Sequence, residues 1–281
     1  MLKQRIITAL VLLALLLPAL FATHPEPLAL FTLILMAAAS WEWGRLNGLG
    51  FRPSLILTGI CISLCAASWL AGWAVQAPAA LWWIACLVSL LGGAWMLRRG
   101  VVGWGLWPRG ARWLGGILVL WLTWLALCQS KTMGVNYLLS VLALVWVADV
   151  AAYFGGRAFG RRKLASNISP GKSWEGVFSG VLAVCVLALI WLALDGQQIS
   201  ASPSLFSMLL QHSPVWAFMG VALLVGMSVV GDLAESLVKR SAGVKDSSAL
   251  LPGHGGVLDR VDALLPTLPL ALMLVQAGVT P

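Results

Sequence analysis

Charge is what this sequence has least of. Only 10% of its 281 residues are Asp, Glu, Lys or Arg, against about 25% in soluble domains. Hydrophobic residues make up 60%, and the mean hydropathy is +0.92. A water-soluble fold is thereby excluded in favour of an integral membrane protein. The cysteines offer no framework either. Cys61, Cys65, Cys86, Cys128 and Cys185 lie in or beside apolar runs, show no paired metal-ligand spacing, and are odd in number, so they are read as packing. No repeat of fixed period and no low-complexity tract is present. A cleavable signal peptide would need small residues at its end, and Leu20-Phe21-Ala22 does not supply them, so the first helix is expected to stay. Acids are scarcer than bases, giving a net charge of +8. Such a surplus can mark a nucleic-acid binder, but here the bases sit in short segments between apolar runs. There they orient helices and meet lipid headgroups, so no nucleic-acid partner is expected.

What is present is a series of nine apolar runs, at about 6–22, 28–43, 55–75, 79–97, 113–128, 134–154, 174–194, 215–234 and 261–279. Several approach the ~20 residues that span a bilayer, and the second and fifth are short of it. With the N-terminus in the cytoplasm, seventeen of the eighteen basic residues fall on the cytoplasmic side and only Lys131 lies outside. The expectation is an all-α polytopic protein of nine transmembrane helices, N-terminus cytoplasmic and C-terminus outside. Residues 1–133 would carry about five helices. Residues 134–281 would form a catalytic region of about four, with cytoplasmic motif loops at 155–173 and 236–260. Glu26, Asp195, His24 and His212 fall in exterior loops and are read as solvated. The tryptophans are read as interface anchors or helix packing.

Residues 232–262 hold half of the chain's ten acids (Asp232, Glu235, Asp246, Asp259, Asp262) beside Lys239, Arg240, Lys245 and Arg260, whereas residues 215–230 are uncharged. On a continuing helix, Asp232, Glu235, Ser236 and Lys239 recur at i, i+3, i+4 and i+7 and share a face. Carboxylates there can hold a hard divalent cation while the lysine meets a phosphate. Pro252-Gly253-His254-Gly255-Gly256 has little side-chain bulk, so its backbone N–H groups can approach an anion. Asp232 lies about 27 Å along its helix, at headgroup depth, and Asp149 about 22 Å along its own, inside the hydrocarbon. An acid at that depth marks a site or a structural ion pair, with Arg157 or a lysine of another helix as the partner. The segment 166–173 approaches a P-loop, but Ser166 stands where its first glycine belongs and no strand is expected before it. Ser169 and Pro170 instead suggest a helix start, with Lys172 placed for a phosphate or the cap serving structure alone. Acids in a first turn, as at Asp259 and Asp262, are often only caps. With Arg260 between them and Asp232 on the preceding helix, a metal site is favoured.

Two segments resemble the phosphatidate cytidylyltransferase family. One is Ser236, Lys239-Arg240, Lys245-Asp246, then Leu251-Pro252, His254-Gly255-Gly256, Asp259-Arg260 and Asp262. The other is Asp149, Tyr153, Gly156, then Ser169-Pro170-Gly171-Lys172-Ser173-Trp174-Glu175-Gly176, where the family often has Thr in place of Ser173. The resemblance implies transfer of a cytidylyl group from CTP to phosphatidic acid at a cytoplasm-facing site in a bacterial inner membrane. It implies Mg²⁺, with a monovalent cation as a second candidate, and a homodimer is a further expectation. Asp232, Lys239, Asp259 and Arg260 are expected to be catalytic. Asp149, Ser169, Lys172, Ser236, Arg240, Lys245, His254, Gly255 and Gly256 are expected to bind substrate. Asp232 and Asp259 are the expected metal ligands, with Asp246 and Asp262 as helpers. Two rivals stay open. A CTP-dependent lipid kinase uses similar groups, and a transporter of a phosphorylated solute also buries charge, although it should carry broken helices in both halves, and charge here gathers in the second.

Overall fold

The computed structural model describes residues 2–198 and 200–277. In chain order it contains α1 (Leu2–Phe21), α2 (Glu26–Leu46), α3 (Phe51–Leu70), α4 (Ala79–Gly105), α5 (Arg109–Met133), α6 (Val135–Phe159), β1 (Lys163–Ala165) and β2 (Ser169–Ser173). There follow α7 (Trp174–Gly196), α8 (Leu205–Leu210), α9 (Pro214–Ser241), α10 (Leu258–Val261) and α11 (Leu264–Ala277). Eight of these helices (α1 to α7 and α9) are long and apolar enough to cross a membrane. The second and fifth runs give helices of 21 and 25 residues. They exceed their apolar cores because the polar ends, Glu26 and Arg45 in one and Arg109 and Lys131 in the other, continue the helix to the interfaces.

The last apolar run divides into α10 and the 14-residue α11. Gly278 and Val279 of that run lie outside the described residues. Every residue from 266 to 275 is buried, and α11 packs against α4, α5 and α9. A helix apolar on all sides suits either lipid or a protein centre, and here it is the centre. α1 and α7 instead leave most of their apolar surface outward.

Lipid is as apolar as leucine, so close backbone approach and polar contacts between helices must supply the adhesion. α6 meets α7 through glycines. A Cβ on Gly176 would stand 2.7 Å from the Ala152 carbonyl, and one on Gly155 would stand 2.0 Å from Ser179 Oγ. Indole N–H groups tie other helices together. Trp43 donates to the Arg112 carbonyl, Trp124 to that of Ala29, and Trp121 to Ser68 Oγ.

Three sequence readings change. Lys131, the lone basic residue on its side, is buried. Its ammonium donates to the carbonyls of Leu20 (2.5 Å) and Ala22 (2.9 Å), where α1 ends, so it satisfies orphan helix carbonyls rather than reporting topology. Asp195 is not a solvated loop residue. It accepts from Asn136, Ser204 and Ser207 and fastens the α7–α8 connection to α6. Ser169 does not start a helix. It opens β2, which pairs antiparallel with β1, and the N-cap of α7 is Ser173, whose hydroxyl accepts from Gly176 N at 3.2 Å. A strand therefore does precede Ser166. The segment is still no P-loop, because a second strand follows where a helix should begin. The two motif connections are shorter than expected, since α6 continues to Phe159 and α9 to Ser241.

Candidate active site

Both motif segments reach one end of the bundle, together with the start of α1. Thr8 donates to the Pro252 carbonyl at 2.9 Å, and Lys172, after the bend of the β1–β2 hairpin, forms an ion pair with Asp232 of α9 at 2.6 Å. The hairpin is held by Glu175 in the first turn of α7, which accepts from the backbone N–H groups of Arg161 (3.1 Å) and Arg162 (3.1 Å). This anchorage fixes where Lys172 can point.

The face expected on α9 is two adjoining rows. Asp232 accepts from Ser236 at 3.2 Å and stays half-buried beside Lys172. Glu235 and Lys239 are buried and paired at 2.5 Å, and Lys239 also lies 2.5 Å from Asp259 Oδ1. The two rows lead to different acids of the following segment.

Asp262 belongs with Asp232. Gly231 permits this approach, because a Cβ there would stand 2.4 Å from the Asp262 carbonyl oxygen. Asp262 feels the charges of Asp232 and Lys172, and so does Asp149, on α6. Lys172 pairs with Asp232 and its charge reaches Asp149 and Asp262, the latter also within reach of the charge of Lys239, and no Arg157 pair appears for Asp149 among the described residues. Asp259 is placed otherwise. Its Oδ2 accepts from Ser247 N (2.9 Å), Ser247 Oγ (2.9 Å) and Gly256 N (2.8 Å), while Oδ1 takes Lys239. Burial raises the pKa of this carboxyl, but the bonds from Lys239, Gly256 and Ser247 outweigh it and hold the group at about 2. Asp259, expected as a metal ligand with Asp232, is tied to Lys239 and the glycine loop, while the backbone of Asp262 lies against Gly231, next to Asp232 in the chain.

The remaining expected residues take various places. Arg260 turns its guanidinium onto the His254 carbonyl, 2.5 Å from Nη2 and 3.1 Å from Nε. Arg240 donates to the Val244 carbonyl at 3.0 Å, closing the turn after α9. Lys245 and Asp246 are exposed in that turn. His254 is half-buried, and its Nδ1 has no hydrogen-bond partner among the described residues. Gly255 has φ of 81°, and a Cβ there would stand 2.8 Å from Asp259 Oδ2, so glycine is needed on both counts. Gly256 gives its N–H to Asp259.

Sequence reasoning passed over Glu42. It lies on α2, fully buried, and accepts from Ser247, Ser248, Val257 and Leu258. The available signal was an acid in an otherwise apolar run, the same signal that picked out Asp149. Charge at this end is therefore not confined to the second half of the chain.

The donor set decides what could be held here. Among the described residues no three His, Cys, Asp or Glu side chains are already gathered as a metal site. Asp232, with Asp149 and Asp262 near enough to feel its charge, supplies hard oxygen donors of the kind that suit Mg²⁺. A cleft of about 820 Å³ opens alongside, between α4, the hairpin, α7 and α9. Arg98, Arg99 and Ser166 line it with Trp174, Leu223 and Leu233. It combines an anion-attracting rim with an apolar wall.

Comparison with known proteins finds relatives that span the chain. The cytidylyltransferase family model matches residues 3–277. A phosphatidate cytidylyltransferase of Pseudomonas aeruginosa is 40% identical over 288 aligned positions, covering 99% of this chain and 98% of that protein. One from Brucella melitensis is 36% identical, covering 84% of this chain and 79% of its own length. Another, from Haemophilus influenzae, is 48% identical over 136 residues, or 48% of this chain and 44% of that protein.

Proposed function

The chain belongs to the cytidylyltransferase family, and on that premise we propose how the junction of α6, the hairpin, α9 and α10 transfers the cytidylyl group of CTP to phosphatidic acid. The products are CDP-diacylglycerol and pyrophosphate. The phosphate oxygen of the lipid attacks the α-phosphorus of CTP, the bond to the β-phosphate oxygen breaks, and pyrophosphate leaves. The lipid phosphate is already ionised at neutral pH, so no general base is required. Both substrates and the leaving group are anions, so the protein's work is positioning and charge neutralisation.

Lys172 is the first group to meet a phosphate, exchanging its contact with Asp232 for the polyanion. Arg98 and Arg99 draw the lipid headgroup into the cleft while its chains stay along the apolar wall. Asp232, Asp262 and Asp149 would hold Mg²⁺, which when bound would neutralise charge on the phosphates. Asp259 keeps Lys239 and the glycine loop in place, and Arg260 and His254 stand at the loop's outer face for the nucleotide phosphates. The observation that carries this reading is the Lys172–Asp232 pair, beside two further acids, at the headgroup-level end of α9. The site faces the cytoplasm of a bacterial inner membrane in this reading, supported by the bias of basic residues. A reporter inserted near Arg162 should then appear inside and one fused after Pro281 outside.

Labelled nucleotide tests the reaction. With Mg²⁺ and phosphatidic acid, α-labelled CTP should place its label in the lipid, with one pyrophosphate released per transfer. Label from the γ-position in the lipid, or equal turnover with diacylglycerol, would indicate a kinase. Transfer of neither label would leave the transporter.

A further inference from the structure

We propose that Glu42, on a helix of the N-terminal half, is a positioning residue for the transfer reaction. Its carboxylate would be the fixed point on which the segment bearing Asp259, Arg260 and Asp262 is set. The inference rests on the reaction assigned above and adds a residue more than 200 positions away from that segment in the chain.

Glu42 is 0% exposed. Its Oε1 accepts from Ser248 Oγ (2.5 Å) and Val257 N (2.9 Å), and its Oε2 from Ser247 Oγ (3.0 Å) and Leu258 N (2.7 Å). Four donors thus converge on one carboxylate, and the ion pairs among the described residues do not include it. Burying an ionised group without a counter-ion costs several kcal/mol unless donors replace the lost water. These donors come from the turn before α10 and from its start. The N–H groups of Val257 and Leu258 have no carbonyl within their own helix to bond, and no side chain of the segment caps them. Glu42 caps that helix from outside.

The local sequence makes room for the contact. A Cβ on Gly256 would stand 2.0 Å from Ser247 Oγ and 2.5 Å from Glu42 Oε1, so no larger residue fits between the loop and α2. Ser247 Oγ also lies 2.9 Å from Asp259 Oδ2. The single hydroxyl proton of Ser247 therefore stands between two carboxylates and is shared by them, and Asp259 in turn holds Lys239. Displacing Glu42 moves the end of this series, and the loop that presents Arg260 and His254 moves with it. Asp262 lies one turn beyond the capped N–H groups, so the acid that approaches Asp232 is carried on the same anchor.

Glu42→Gln keeps the shape but turns one donor NH₂ toward the N–H and hydroxyl donors. A misplacement on the scale of 1 Å costs on the order of 10²-fold in rate, so kcat should fall ten- to a hundredfold. The readout that a merely structural role would not move is kcat per CTP site, with the sites per chain counted by calorimetry on the purified, monodisperse variant. Positioning predicts about one site per chain with a slow kcat at saturating CTP, and a CTP affinity lowered as far as Arg260 and His254 shift. Ser248→Ala, which removes one donor and leaves the charge, should show a smaller loss of the same kind. CTP stoichiometry falling in step with turnover in both variants would make Glu42 structural only, and parental kcat in Glu42→Gln would overturn the proposal outright. If the parent protein itself bound no CTP, it is the assigned reaction that would fail.

Discussion

Asp232 and Asp259 lie at the same end of the molecule, and the sequence offered them as equals, yet their surroundings differ in kind. Asp259 has its side chain 8% exposed and receives one lysine, two backbone N–H groups and the Ser247 hydroxyl that it shares with Glu42. Asp232 is 32% exposed and holds one lysine and one serine hydroxyl, with Asp149 and Asp262 close by as like charges. A carboxylate whose lone pairs are filled is a structural tie. One with fewer donors, beside other acids, has capacity left for a ligand. Lys172 and Lys239 repeat the contrast, since Lys239 lies between two buried acids while Lys172 pairs with one half-exposed acid.

The sharpest way to break that comparison is to remove one charge from each side. Asp232→Asn and Asp262→Asn should each lower kcat by on the order of 10²-fold or more, because a metal and phosphate site supplies several kcal/mol to the transition state. Their double variant should be little worse than either alone, since both act through one site. Thermal midpoints in detergent should stay near the parent's. Full turnover in either variant, measured as pyrophosphate release, would return the residue changed in it to the structural class.

Asp259→Asn should show the opposite emphasis. Losing charge-assisted bonds in a buried place costs about 1.5–3 kcal/mol, visible as a thermal midpoint well below that of Asp232→Asn. A smaller drop than in Asp232→Asn would erase the distinction. The pH dependence sharpens the same point. The folded carboxyl titrates at about 2 against an ordinary value of 3.8, so its contribution is complete above about pH 4 to 5 and is lost as the pH falls toward 2. The gap in thermal midpoint between parent and Asp259→Asn should be constant from pH 8 to 5 and should narrow below pH 4.

The smallest effect is expected at the far end of the bundle. Asp195→Asn disturbs the ties to Asn136, Ser204 and Ser207 and should cost about 1 kcal/mol of stability, with kcat unchanged. A matching loss of activity would show that the two ends are coupled.

The apolar runs by themselves determined where the long helices lie, because a chain in lipid must satisfy its backbone within each segment. The runs could not distinguish the central helix from the outer ones, since α11 and α7 are equally apolar and only packing put one inside. The motif residues were legible for a similar reason, as polar groups in so apolar a chain are conspicuous. Their partners were not. The backbone of Asp262 reaches α9 beside Asp232 because Gly231 lets two backbones approach, and Asp259 meets Lys239 because the turn after α9 folds back. Glu42 was hidden most completely. Its four donors lie more than 200 residues away, two of them backbone N–H groups that carry no side-chain signature, so only the docking of α2 against α10 could give that lone acid its place.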